Sequence, residues 1–185
     1  MGLKLPRTIR LDRSDTFVFE RAAEPGEWAV TGSFLFWDQD VAGLTGKERA
    51  AFRAGFVGVT SLGFSTLVVV SEATPAERED AIATLARHIR ERLGAPSLEA
   101  AREAAREEVD FAASLCGHEV GTILAMHRRL KGGEIREQFR TLRPRERGAG
   151  GADPLHAHAR AFELVEVEDE PAERVDLAAL VEAKR

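Results

Sequence analysis

The sequence holds one cysteine, Cys116, among 185 residues. No intramolecular disulfide can form, so packing must hold the fold, and a reducing compartment is the expected setting. Tyrosine is absent. Together with abundant Ala, Arg, Glu and Gly, that bias points to a high-GC bacterial gene. No stretch of about eighteen apolar residues occurs, so no membrane-spanning helix is expected. The opening residues, MGLKLPRTIRLD, lack the apolar core of a secretory signal. Gly2 follows Met1, but Pro6 stands where a myristoylation pattern needs Ser or Thr. A cytoplasmic protein is expected. Basic residues are also in deficit: 26 Lys and Arg against 31 Asp and Glu, for a formal charge of −5. Nucleic acid needs a basic surface and is therefore not the expected partner. No Gly-rich phosphate loop, GxSxG elbow, HExxH helix or Rossmann fingerprint is present, and no cofactor is expected.

What remains is a chain of ordinary globular composition, 44% hydrophobic and 31% charged, long enough for one core. Residues 8–12 and 16–20 alternate apolar and polar and predict a first β-hairpin, burying Ile9, Leu11, Phe17 and Phe19. Residues 28–37 (WAVTGSFLFW) predict a strand, with Gly32 marking a bulge or a close backbone approach. Thr45 and Glu48 form a capping-box pattern ahead of a short helix to Ala54. The run 56–72 (FVGVTSLGFSTLVVVSE) has one charge, at its edge. It predicts two strands, 56–61 and 65–72, around a turn at 62–64.

Thr74-Pro75-Ala76-Glu77 is the best helix start in the chain, with N-cap, N1 proline and N3 glutamate in order. Ile82, Leu85, Ala86, Ile89 and Leu93 supply an apolar face up to Gly94. Ser97 starts a second helix, with Leu98, Ala101, Ala105, Val109, Ala112 and Leu115 as its face. Helices joined so closely should pack as an antiparallel hairpin. Residues 122–131 and 134–142 flank Gly132-Gly133, and this two-residue turn sets a register. Leu124, Met126 and Leu130 should meet Thr141, Phe139 and Ile135 on a core face. Ala125, His127 and Arg129 should meet Arg140, Gln138 and Arg136 on a wet, basic face. The domain is expected to span 1–145, followed by a Gly-rich linker over 146–154. A strand-plus-helix tail at 155–185 is expected to dock on the domain or on a partner.

Four groups of residues bear on chemistry. His127, Arg129, Arg136 and Arg140 form the basic sheet face, which suits a carboxylate, a phosphate or a protein partner. Cys116 and His118 lie two apart at a helix end, a spacing compatible with a nucleophile or a ligand pair. A structural zinc site needs four ligands, however, and there is one cysteine. His156 and His158 would put two imidazoles on one side of a strand, a spacing similar to cupin-type metal strands. Trp28, Phe34, Phe36 and Trp37 would line a pocket or, more commonly, a core. Glu107, Glu108 and Asp110 fall among arginines on the second helix and are expected to be solvated. Residues 128–147 carry eight Arg or Lys against three Glu, and residues 163–182 carry eight Asp or Glu against one Arg. The two segments are complementary within one molecule or across a dimer.

The segments KLPRTIRLDRSDTFVFERAAEPGEWAV, LTGKERAAFRAGFVGV and REQFRTLRPR resemble an uncharacterised family of small bacterial proteins, of proteobacterial type, over about residues 1–145. The resemblance implies an accessory role in assembling or maturing a redox or cofactor-dependent enzyme, and it brings no catalytic residues. The chain is thus expected to be an α+β protein, with antiparallel sheet covered on one face by a helix pair. A non-catalytic interaction protein is the leading expectation, with a protein partner or a second copy of itself. The alternatives are a small-ligand binder or enzyme near the aromatic residues and His127, or a metal protein using His156 and His158.

Overall fold

The computed structural model describes residues 2–11, 15–144, 164–169 and 173–174. Among the described residues, two antiparallel sheets and four α-helices make an α+β protein. The larger sheet has the order β1-β5-β6-β7-β8, from β1 (Lys4–Ile9), β5 (Leu67–Glu72), β6 (Ile123–Lys131), β7 (Glu134–Pro144) and β8 (Leu164–Asp169). A short β9 (Glu173–Arg174) also pairs with β7. The smaller sheet joins β2 (Ala29–Val30), β3 (Phe56–Gly58) and β4 (Phe64–Ser65). The helices are α1 (Asp15–Val18), α2 (Gly46–Ala54), α3 (Pro75–Leu93) and α4 (Leu98–Ser114).

The chain around residues 4–20 departs from the expected hairpin. Residues Lys4–Ile9 pair with β5 instead, Thr8 opposite Val68 and Leu5 opposite Ser71. Pro6 is tolerated there because β1 is an edge strand. Residues Asp15–Val18 form a single helical turn that leaves Phe17 72% exposed, while Phe19 is buried. Alternation over five residues fits a strand and a turn of helix equally well, and the long β5 offered the better partner.

The strand expected over 28–37 is reduced to Ala29–Val30. Gly32 breaks it in a left-handed conformation (φ 81°), and Ser33–Phe36 then forms a 3-10 turn. A Cβ on Gly32 would lie 2.1 Å from Val57 Cγ2. Close approach to β3 is thus what this glycine permits. Gly32→Ala should destabilise by about 2–4 kcal/mol, combining left-handed strain with overpacking. Gly26 also has positive φ (87°), but its Cβ would meet nothing within 4 Å. Gly26→Ala should therefore cost only about 1 kcal/mol. Urea midpoints of the two variants check this ordering.

The run 56–72 serves both sheets. Phe56 and Val57 pair with Ser65 and Phe64. Gly58 N–H donates to Gly63 O at 2.9 Å and closes the turn. Residues Leu67–Glu72 then enter the large sheet between β1 and β6. α2 forms where expected, but Thr45 makes no side-chain cap. Arg49 Nε donates to Leu44 O at 2.8 Å and secures that entry instead.

α3 begins with the full capping box. Thr74 Oγ1 accepts from Glu77 N–H at 3.2 Å, and Glu77 Oε2 accepts from Thr74 N–H at 2.8 Å. Ser97 caps α4 by accepting from Ala100 N–H. Arg78, early in α3, pairs with Asp110, late in α4, so the two helices run in opposite directions. Ile82 and Leu85 of α3 and Ala105 and Val109 of α4 share one core with Leu5, Val30 and Val57. Small residues on α4 let α3 approach closely. Leu93 and Leu98, expected on the apolar faces, lie at the helix ends and are 44% and 50% exposed.

A second cluster joins Val68, Val70, Leu124, Met126 and Phe139, against which Phe111 of α4 packs. A third gathers Phe19, Phe36, Phe52 and Ile135 beside α2. The linker expected at 146–154 lies outside the described residues. Of the helix expected from Pro171, only Glu173–Arg174 is described, and these residues form β9 instead, because β7 offers them an open edge to pair with.

Candidate functional site on the β6–β7 hairpin

Gly132 and Gly133 both have positive φ, 62° and 80°, as a two-residue primed turn requires. The register is the expected one: Leu130 faces Ile135, Arg129 faces Arg136, His127 faces Gln138, Met126 faces Phe139 and Ala125 faces Arg140. β6 pairs with β5 only over Ile123–Ala125. Beyond that, α2 takes the place of a neighbouring strand, and its Phe52 carbonyl meets Arg128.

The inner face holds what the sequence reading missed. Arg128 and Glu137 lie opposite each other on the same side as Met126 and Phe139. Both side chains are essentially fully buried. Arg128 Nε donates to Glu137 Oε1 at 2.9 Å, Nη1 to Phe52 O at 2.8 Å, and Nη2 to Thr31 O at 2.5 Å. Phe52 is in the last turn of α2, where carbonyls lack helical partners. One guanidinium therefore fastens the hairpin, the end of α2 and the chain after β2. The rings of Phe36 and Phe52 stand 5.3 and 5.8 Å from its Cζ and exclude water.

Glu108 of α4 joins this cluster rather than the solvated set expected for it. It lies one turn before Phe111 and Ala112, on the side of α4 that meets β7 through the Phe111–Phe139 ring contact. Glu108 is half-buried as a residue, and its Oε2 is buried with no hydrogen-bond partner. Burial pushes its carboxyl up to about 8, Glu137 adds to the rise, and Arg128 opposes it. With Glu108 protonated at neutral pH, Arg128, Glu137 and Glu108 together carry no net charge.

The outer face holds the predicted binding residues. His127 and Arg129 are exposed, and Arg136 and Arg140 half-buried. Partial burial holds the His127 imidazole below its usual range, and the charges of Arg53, Arg129 and Arg140 add to that. His127 is thus neutral at pH 7, within a positive field to which α2 contributes Arg53. Arg136 Nη2 lies 3.6 Å from Glu134 Oε2. The strand register sets Asp169 opposite Arg140 and Arg174 opposite Arg136.

The other candidates among the described residues do not join this face. Cys116 is buried, and its thiol donates to Ala112 O at 3.6 Å. Burial pushes it up to about 12 despite Lys4 nearby. A thiol held protonated is a poor nucleophile and a poor ligand. The His118 carbonyl accepts from Lys4 Nζ at 2.6 Å, a structural tie across the sheet edge. His156 and His158 lie outside the described residues. Among the described residues, no three His, Cys, Asp or Glu side chains gather to hold a metal. Phe34 and Phe36 are buried in the core. Trp28 carries the Arg7 guanidinium 3.7 Å from its ring, and Trp37 is 40% exposed.

Fold and site together define an α+β protein with one apolar, ion-paired sheet face and one basic sheet face. The chain belongs to a family of unknown function (DUF6505), whose model matches residues 1–160. No curated protein and no solved structure gives a match. No helix among the described residues is long and apolar enough to cross a membrane.

Proposed function

We propose that the protein is a non-catalytic interaction protein that docks an acidic segment of a partner protein on the outer face of β6 and β7. The observation that supports this best is the clustering of cations around His127. Arg53, Arg129 and Arg140 act on one imidazole, and Arg136 stands beside Arg129 in the register. Side chains of one sign, held side by side on a rigid sheet, repel each other unless something of opposite sign lies over them. In this proposal the pair α3–α4 covers the inner face of the sheet, leaving the outer face to the partner. A cytoplasmic setting belongs to the same proposal, as does a role in assembling or maturing a redox or cofactor-dependent enzyme. The second role rests on the sequence resemblance alone.

The test is a cross-linked pull-down from the native host, comparing the wild type with Arg129→Glu/Arg136→Glu at matched melting temperature. Charge reversal at two central positions should reduce partner recovery by roughly tenfold or more, with recovery from the wild type falling as salt rises. Equal recovery by both proteins overturns the proposal. So does a wild type that neither recovers a partner nor self-associates.

A further inference from the structure

The outer edge of β7 is already occupied. β8 pairs with it over Arg140–Pro144, and β9 pairs with it at Arg136 and Glu137, so residues 164–169 and 173–174 line most of its length. One feature sets this pairing apart from the others described in the sheet: its register slips between Thr141 and Leu142, an irregularity that interrupts the ladder. Pro144 and Leu164 are direct partners across residues 145–163, and that connection sets the effective local concentration of the returning strand. The segment is strongly acidic, with Glu166, Glu168, Asp169, Glu170 and Glu173 against Arg174. β7 carries Arg136, Arg140 and Arg143. The family match ends at residue 160, before β8 begins.

We infer that the edge of β7 is a strand-docking site, and that residues 164–174 occupy it as an in-chain stand-in for an acidic strand of a partner protein. Main-chain hydrogen bonds along an open edge supply affinity, and an acidic strand on an arginine-bearing edge supplies selectivity. The in-chain register sets one acid opposite an arginine, Asp169 at Arg140, and like charges opposite each other at Arg136–Arg174 and Glu137–Glu173, so it is an imperfect match that a partner strand can better. The in-chain strand blocks unpaired association at this edge and is exchanged for the partner's strand. This deepens the docking role proposed above, because Arg136 and Arg140 belong to both surfaces.

The test uses the full chain carrying Val165→Pro/Glu166→Pro. Of two adjacent strand residues, one presents its N–H to β7, so the double substitution removes a ladder bond whichever it is. The probe is a labelled synthetic peptide of residues 162–176. Amides within residues 140–143 that face β8 should lose exchange protection in the variant, and the peptide should bind the variant at least about tenfold more tightly than the wild type. Equal peptide affinity for both proteins overturns the inference, as does unchanged protection. Protection in the wild type that depends on protein concentration would put the strand on a second copy and overturn the in-chain assignment. Peptide binding by the variant without any charge-dependent partner recovery would sink the docking role and leave the occupied edge standing. Equal partner recovery by wild type and variant would do the reverse.

Discussion

Arg128→Met should destabilise the protein by about 3–5 kcal/mol. The volume is nearly conserved, so the loss comes from polar groups. Glu137 would keep a buried charge without its cation. The carbonyls of Phe52 and Thr31 would lose the N–H groups that reach them at 2.8 and 2.5 Å. Each orphaned carbonyl costs about 1–3 kcal/mol when water cannot enter. Arg128→Lys should recover only part of the loss, because an ammonium cannot make three divergent bonds in one plane. Arg128→Met/Glu137→Leu should recover more, since an apolar pair leaves no uncompensated charge. Urea denaturation of the four proteins measures this. A single Arg128→Met within 1 kcal/mol of the wild type would show that the cluster is not what fastens α2 and β2 to the hairpin.

Glu108→Gln should stabilise the protein, and the gain should grow with pH. The folded carboxyl titrates at about 8, against an ordinary value of 4.5. Between those values the folded state holds a proton that the unfolded state has released. Unfolding therefore becomes easier as pH rises through that window, and the dependence levels off above about 8. The full penalty is on the order of a few kcal/mol, less than the shift alone implies, because Glu108 is only half-buried. Glutamine has the shape of the protonated acid and never ionises. The variant should match the wild type near pH 4.5 and exceed it by roughly 2–3 kcal/mol at pH 8. Urea midpoints at pH 5, 6.5 and 8 provide the comparison. Other groups with shifted titration, such as Glu27 and Glu77, cancel in the difference between the two proteins. Parallel curves for wild type and variant would mean that Glu108 meets water when folded.

Local signals were legible where they were redundant. Thr74, Pro75 and Glu77 each mark the same helix start, and the structure makes both capping bonds. Gly132-Gly133 admits few turns, so its register carries through the whole hairpin. Signals that depended on a partner were not legible. Residues 16–20 alternate like a strand, but β5 pairs with Lys4–Ile9, and the segment containing Phe17 folds as a helical turn. The aromatic run 28–37 fits a strand until Gly32 turns against Val57, which lies far along the chain.

Arg128 and Glu137 show the same division at the candidate site. Their parity with Met126 and Phe139 was present in the sequence and placed both on the core face. Their charge argued for solvent, and only an opposing pair on adjacent strands reconciles the two. Glu108 needed still more: the rotation of α4 against β7, which periodicity leaves open by about one residue.

The sequence by itself determined the class, the helix pair, the hairpin and its basic outer face. These follow from period, caps and turn chemistry, all of which act over a few residues. Only the tertiary structure decided which charges are buried, which edge of β7 is occupied, and that Cys116 is an inert thiol. Those outcomes depend on desolvation and on partners distant in the chain, and neither has a local pattern to read.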